Sequence, residues 1–286
     1  VSTLTWRQLW NETAEAVGDR AIARWLCEEA SGLDGPQLVA DLDEAATERM
    51  VAHLDAMVGR VQAGEPVQYV LGHWPFRTVD VMVDRRVLIP RPETELVAGV
   101  AIERARESER PIVVADLGTG SGAIGLALAA ELPREGVEIW LTDCSADALD
   151  VARANLSGLG GAGANVRISQ GSWYDALPPR LEGELAVIVS NPPYVAEGDP
   201  ELEAIVARHE PSTALLAGPD GLTALREVIA GAPRWLRPGG WLVLEIGHRQ
   251  GEAVRTLLAG AGLVEVEVRP DLAGRDRIAT GRRRGR

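Results

Sequence analysis

Two short stretches of this chain contain residues whose types and spacing could do chemistry. The first, Asn191-Pro192-Pro193-Tyr194, ends the apolar run Leu185–Val189. An isolated Asn-Pro-Pro marks a turn. At the end of a buried strand it can do more. It places an amide oxygen (Asn191) beside a backbone carbonyl (Pro192), and the stiff prolines bring no N–H that would repel a donor. Two such acceptors suit a substrate NH2 whose lone pair is delocalised into an adjacent π system, as in an amide or arylamine. Gripping both N–H bonds aims the lone pair at an electrophilic carbon, so the gain comes from proximity and orientation rather than a strong base. Tyr194 offers a flat face to a planar substrate. Asn191 is the residue on which such a reaction should depend most.

The second stretch is "VVADLGTGSGA", in which Asp116 ends an apolar run and Gly118, Gly120 and Gly122 lead into a helix. Glycine there permits positive φ and close approach of backbone to a ligand. A tight structural turn would use the same residues, and Gly118-x-Gly120-x-x-Ala123 also satisfies a loose dinucleotide fingerprint. Three features separate the readings. Asp116, just ahead of the glycines, could meet a cationic amine or sulfonium. Asp143, ending "WLTD", is placed to accept from ribose hydroxyls, which supports a nucleoside without choosing one. The downstream Asn-Pro-Pro-Tyr has no use in a dehydrogenase. S-adenosylmethionine, a nucleoside carrying a positively charged sulfur, fits all three.

These residues need a scaffold at whose strand ends they meet. From residue 111 the chain alternates continuous apolar strands ("PIVVADLG", "VEIWLTD", "NVRIS", "ELAVIVS", "GGWLVLEI") with helical segments, the pattern of a parallel sheet covered on both faces. The last part, "LVEVEVRPDLAGRDRIATGR", has two strand-like runs with no helix between them and suggests an antiparallel hairpin at the sheet's edge. Residues 1–66 read as amphipathic helices, with Leu4, Leu9, Trp10, Ala14 and Val17 in one stripe and Ala46, Met50, Leu54, Met57 and Val61 in another. Between them, Val79, Val81 and Val83 alternate with Asp80, Met82 and Asp84 before Pro90 and Pro92, a hairpin linker over 67–92. A helix from about Glu93 to Arg106 opens the catalytic region, 93–286. The expected architecture is therefore α/β, a Rossmann-like sheet with an antiparallel C-terminal hairpin, plus a small helical N-terminal domain.

Composition narrows the chemistry. The 286 residues carry a net charge of −13, which disfavours sequence-independent binding to duplex nucleic acid. All 29 basic residues are arginine, so reactions needing a lysine are excluded. Cys27 and Cys144 lie far apart, and His53, His73, His209 and His248 form no ligand spacing, so no metal is expected. No apolar run approaches spanning length and no basic flank precedes an apolar core at the start, so a cytoplasmic protein without membrane contact is expected. The arginines at 275, 277, 282, 283, 284 and 286 read as a solvated, frayed end.

Together, "DLGTGSG" and "SNPPY" resemble the general pattern of Rossmann-like amino-group methyltransferases. The stretches "RVLIPRPETELV", "EPSTALLAGPDGL", "LRPGGWLVLEIG" and "DLAGRDR" extend the resemblance, from about Trp6 to Arg277, to the peptide chain release factor glutamine methyltransferases, the HemK/PrmC family. The resemblance implies transfer of a methyl group from S-adenosylmethionine, leaving S-adenosylhomocysteine, to the side-chain amide of the glutamine in the Gly-Gly-Gln motif of class I release factors. It implies that Gly118, Thr119, Gly120, Ser121 and Gly122 hold the cofactor together with Asp143 and Asn191, that Trp173 flanks the adenine, and that Asn191–Tyr194 hold the glutamine. The helical domain would help engage the release factor. The family often has an acidic residue before the tryptophan, where this chain has Ser172. The resemblance also implies that "RPETE" (Arg91–Glu95) lies near the cofactor, although by itself it reads only as a helix start.

An adenine-specific nucleic-acid methyltransferase poses the same nitrogen problem and would use the same four residues. It also needs a basic surface and a way to extrude the base, against which the acidic charge and short helical domain count. A nucleoside-sensing module without activity is a third reading, opposed by the intact Asn191, Asp143 and glycines.

Overall fold

The computed structural model describes residues 4–285, which fall into two compact units divided between His73 and Trp74. Arg286 of the C-terminal arginine group lies outside the described residues.

The first unit is helical: α1 (Trp6–Val17), α2 (Arg20–Ser31), α3 (Gly35–Ala40), α4 (Glu48–Gln62) and α5 (Val67–Leu71). Side chains with free oxygens begin α1 to α4 and take up otherwise unpaired N–H groups. Thr5 and Gln8 form a reciprocal capping box on α1, and Asp19 accepts from the N–H groups of Ala21 and Ile22 on α2. The apolar stripes meet in a core of Trp6, Leu9, Leu26, Leu38, Leu54 and Met57, with Val67 and Val70 of α5 packed among them.

The second unit begins in the hairpin of β1 (His73–Phe76) and β2 (Val79–Met82), followed by α6 (Pro92–Arg106). Pro92 at the first turn of α6 fits the fixed φ of that position, and Glu93 and Glu95 sit at the positive end of its dipole. Then come β3 (Ile112–Leu117), α7 (Ala123–Glu131), β4 (Val137–Asp143), α8 (Ala146–Gly158), β5 (Val166–Gln170) and β6 (Leu185–Ser190). The chain continues through α9 (Ala204–His209), α10 (Ser212–Leu215), α11 (Thr223–Trp235), β7 (Leu236–Glu245), α12 (Gly251–Gly260), β8 (Leu263–Pro270) and β9 (Asp276–Arg283).

The seven strands run β5-β4-β3-β6-β7-β9-β8, parallel from β5 to β7, with β9 antiparallel to both β7 and β8. Every residue of β6 is buried, as expected of a strand covered on both faces. The expected C-terminal hairpin is present, with β9 inside and β8 at the edge. As far as Arg283 the arginine-rich segment is not frayed, while Arg275 and Arg284 are exposed as expected. Arg277, Arg282 and Arg283 belong to β9; Arg277 is buried, and Arg282 donates to the Gly239 carbonyl at 3.1 Å while lying over the Trp241 ring. The ladder to β7 and the apolar residues Ile278 and Ala279 hold this segment in place despite its charge. Among the described residues no helix is long and apolar enough to cross a membrane, and no cluster of three His, Cys, Asp or Glu could hold a metal.

The topology puts the two sequence motifs side by side. After β3 the chain builds outward through β4 and β5, then returns to place β6 on the other flank of β3, so the strand order reverses at β3. Open α/β sheets bind ligands outside the carboxyl ends of their strands at such a point. Asp116 pairs with Val189, so Gly118 and Asn191 each follow two residues beyond paired positions. Leu117 pairs with Thr142, which brings Asp143 to the same level on the other side.

Candidate active site

A pocket with some 1110 Å³ of atom-free space, part of it open to solvent, lies over these strand ends. Gly118, Thr119, Gly120, Ser121, Asp143, Trp173, Asn191 and Pro193 all line it. Its lining sets a few placed polar groups among apolar walls, the make-up of a small-molecule site.

The Gly-rich turn is held from both sides. Gly118 and Gly120 have φ of 72° and 56°, a region that a Cβ penalises. The N–H groups of Gly118 and Thr119 both donate to the Thr142 carbonyl, at 2.9 Å each. Asp143, half-buried, accepts from Gly120 N at 2.9 Å through Oδ2 and from Ser145 N at 2.9 Å through Oδ1. One carboxylate therefore ties the turn to the start of α8. Its remaining lone pairs are available to hydroxyl donors in the pocket.

Asp116 sits apart from this group. Its side chain is wholly buried and does not line the pocket; Oδ2 accepts from the Thr119 hydroxyl at 2.6 Å and from Gly125 N at 3.0 Å. Burial pushes its carboxyl up to about 7, against the pull of those two hydrogen bonds. It braces the turn from below, through Thr119, rather than presenting charge to the crevice. Gly122 is likewise buried and outside the lining, packed against Leu126 and Leu141.

Trp173 forms one wall. It holds a φ of 44°, unusual for a large side chain, and its indole Nε1 donates to Glu227 at 2.7 Å. A Cβ built on Gly118 would lie 3.3 Å from the Trp173 ring, so ring and turn are in near contact. Strained backbone of this kind, costing on the order of 1–3 kcal/mol, collects where a ligand is gripped. Ser172 is exposed and lines the same pocket.

Asn191 leaves the end of β6 half-buried, and its Nδ2 donates to Thr94 Oγ1 at 3.3 Å. Among the described residues no donor takes its Oδ1. Pro192 is buried. Tyr194 turns away from the pocket lining: its hydroxyl donates to Glu245 Oε1 at 3.1 Å and accepts from Arg277 at 3.3 Å. Burial pushes the Tyr194 hydroxyl well up, so it remains a neutral donor. The tyrosine thus supports the motif from behind instead of offering its ring to the pocket.

Reasoning from the sequence missed Thr94, Glu245 and Arg277, and the rim formed by Arg86, Val87, Leu88 and Pro90 facing Pro211, Thr213 and Ala214. That rim is tied by Glu210, which is buried, accepts from Ile89 N at 3.1 Å and pairs with Arg91. The only signals for these residues were their places in "RVLIPRPETELV", "EPSTALLAGPDGL", "LRPGGWLVLEIG" (Glu245) and "DLAGRDR" (Arg277).

An open sheet of this strand order, with a Gly-rich turn, an acidic strand end and an Asn-Pro-Pro-Tyr over one crevice, defines a methyltransferase of Rossmann-like type. Family models agree: Methyltransferase small domain matches residues 102–218, and PrmC N-terminal domain matches 10–72. A Xylella fastidiosa (strain Temecula1 / ATCC 700964) protein named release factor glutamine methyltransferase is 50% identical over 242 residues, 84% of this chain and 83% of its own. The Escherichia coli (strain K12) protein of that name is 37% identical over 276 residues, 96% of each. A solved methyltransferase from Pyrococcus furiosus shares the fold, with TM-score 0.51 at 17% identity over 80% of this chain and 98% of that one. The chain belongs to the release factor glutamine methyltransferase family.

Proposed function

We propose that this enzyme transfers a methyl group from S-adenosylmethionine to the side-chain amide nitrogen of the glutamine in the Gly-Gly-Gln motif of class I release factors. The observation that carries this reading is Asn191: its Oδ1 has no protein donor among the described residues, and it lines the same pocket as Gly118–Ser121 and Asp143. The curated relatives at 37–50% identity support the substrate by their names.

The residues present fit the cofactor. Asp143 keeps lone pairs for ribose hydroxyls, Trp173 supplies a flat wall for adenine beside Gly118, and Ser172, in the same lining, would accept from the adenine amine. When bound, the cofactor supplies an electrophilic methyl on a cationic sulfur. Asn191 Oδ1 and the Pro192 carbonyl accept from the two amide protons of the glutamine and turn its nitrogen towards that methyl. Pro193 closes the wall beside them, and Tyr194 holds the motif from behind. The glutamine nitrogen, held by Asn191 and Pro192, would take the methyl and lose one proton to solvent, the electron pair of the S–C bond staying with the cofactor. Asp116 acts on the cofactor site through Thr119, and Gly122 through its tight packing under α7.

In this reading residues 1–66 recognise the release factor and 93–286 carry catalysis, in the cytoplasm; the expected linker over 67–92 is instead split, with Val67–Leu71 packed in the helical core and β1 and β2 opening the second unit. The match of the helical segment to PrmC N-terminal domain supports the first assignment. The test is Asn191→Ala. We expect transfer to the release factor to fall by roughly 100-fold or more, with cofactor affinity within a few-fold of the unsubstituted enzyme. Unchanged turnover would sink the substrate clamp.

A further inference from the structure

An asparagine amide can serve as the acceptor in such a clamp only if its oxygen faces the substrate. A flipped amide would present NH2 to NH2. The two ends are the same size, so the choice between them must come from hydrogen bonding around the side chain.

The surroundings of Asn191 contain that choice. Thr94, near the start of α6, donates its single hydroxyl proton to Glu245 Oε2 at 2.6 Å; burial raises the pKa of Glu245, while Thr94, Arg277 and Tyr194 all favour the carboxylate that accepts this proton. Its proton spent, Thr94 Oγ1 has only lone pairs left for Asn191, 3.3 Å away. A donor must therefore point at it, and Asn191 can offer only Nδ2. The flipped amide would set oxygen against oxygen with no proton between them. Glu245, at the end of β7, is in turn held on its other oxygen. Oε1 accepts from the Tyr194 hydroxyl at 3.1 Å, and Tyr194 accepts from Arg277, which also donates to the Ile246 carbonyl at 3.2 Å. Glu245 and Thr94 are both buried, so water does not offer either an easy alternative partner.

We infer that Thr94, braced by Glu245, is a positioning residue that fixes the Asn191 amide with its oxygen towards the pocket. The relay runs from Arg277 on β9 through Tyr194 and Glu245 on the motif and β7 to Thr94 on α6. Three separate elements thereby converge on the orientation of one amide. The inference rests on the proposed role of Asn191 as acceptor, but the orientation itself can be read without any substrate.

Thr94→Val keeps the shape and removes the hydroxyl; Thr94→Ser keeps the hydroxyl. With a folded enzyme, Thr94→Val should lower kcat for methyl transfer to the release factor on the order of 100-fold. Its dissociation constant for S-adenosylhomocysteine and its KM for release factor should stay within about threefold, a margin of under 1 kcal/mol. Thr94→Ser should recover most of kcat. A structural role alone would show as lost thermal stability without this split. If Thr94→Val does not fold, the unsubstituted protein still decides. Its Asn191 side-chain amide protons, assigned by their loss in Asn191→Ala, should exchange with solvent more slowly than those of Asn11, which is exposed on α1. Unchanged kcat in Thr94→Val, equal damage in Thr94→Ser, or Asn191 protons exchanging as fast as those of Asn11 would each overturn the inference. If the unsubstituted enzyme transfers nothing to the glutamine, the proposed substrate fails, while the exchange result still reports the amide's orientation.

Discussion

Removing the carboxylate of Asp143 should separate its two contributions, to the fold and to cofactor binding. In Asp143→Ala two backbone N–H groups, on Gly120 and Ser145, lose acceptors 2.9 Å away. Hydrogen bonds to a charged acceptor contribute roughly 1.5–3 kcal/mol each, but the site is half-exposed and water can replace part of both. The expected loss of stability is about 2–3 kcal/mol, read as a lower urea midpoint. The cofactor loses more specifically: two ribose hydroxyls without their acceptor should weaken S-adenosylhomocysteine by about 3 kcal/mol, near 100-fold in Kd by calorimetry. Asp143→Asn should not rescue, because its NH2 would have to face one of the two backbone N–H groups. If folded Asp143→Ala bound the cofactor within twofold of the unsubstituted enzyme, the assignment of Asp143 to the ribose would be wrong.

Other substitutions and modifications test the surrounding geometry. Gly118→Ala and Gly120→Ala both force a Cβ into positive φ, at roughly 1–2 kcal/mol. Only at Gly118 does the new methyl press on Trp173, so Gly118→Ala should be the less stable, and the difference should vanish in a Trp173→Ala background measured by urea unfolding. Asp116 has its folded value raised from 3.8 to about 7, so the native state binds more protons than the unfolded chain between those values. Stability should accordingly fall as pH rises through that window, by at most about 4 kcal/mol. Asp116→Asn should abolish that slope, and an unchanged slope would assign it elsewhere. Cys144 is exposed and lines the pocket, although burial of its sulfur and the neighbouring Asp143 raise its pKa, whereas Cys27 is buried and pushed up to about 12. Alkylation at pH 8.5 should therefore label Cys144 alone, and S-adenosylhomocysteine should slow it.

The parts legible in the sequence were those with a period or a punctuation mark. The apolar runs 112–117, 137–143 and 185–190 gave the parallel strands, and their last residues placed Asp143 and Asn191 at strand ends, where side chains face a crevice. Side-chain direction was not legible. Asp116 and Asp143 look alike in sequence, each an acidic residue ending an apolar run. Yet Asp116 points under the turn to Thr119 and Gly125, while Asp143 spans the turn from the pocket side. Tyr194 was read as a ring for the substrate because its hydroxyl's partners, Glu245 and Arg277, lie 51 and 83 residues away in the chain. The same distance hid Thr94, 97 residues from Asn191, inside what local pattern shows only as a helix start. The arginines of β9 were misread for a related reason: their order comes from pairing with β7, which no local composition reveals.

The central claim is that the crevice at the ends of β3 and β6 methylates a glutamine amide, and methyl-labelled S-adenosylmethionine tests it most directly. The purified enzyme would be incubated with the labelled donor and either a class I release factor or duplex DNA, and the label located by mass spectrometry. The account predicts a single methyl on the glutamine of the Gly-Gly-Gln motif and none on DNA. Label on adenine, with the release factor unmodified, would contradict it.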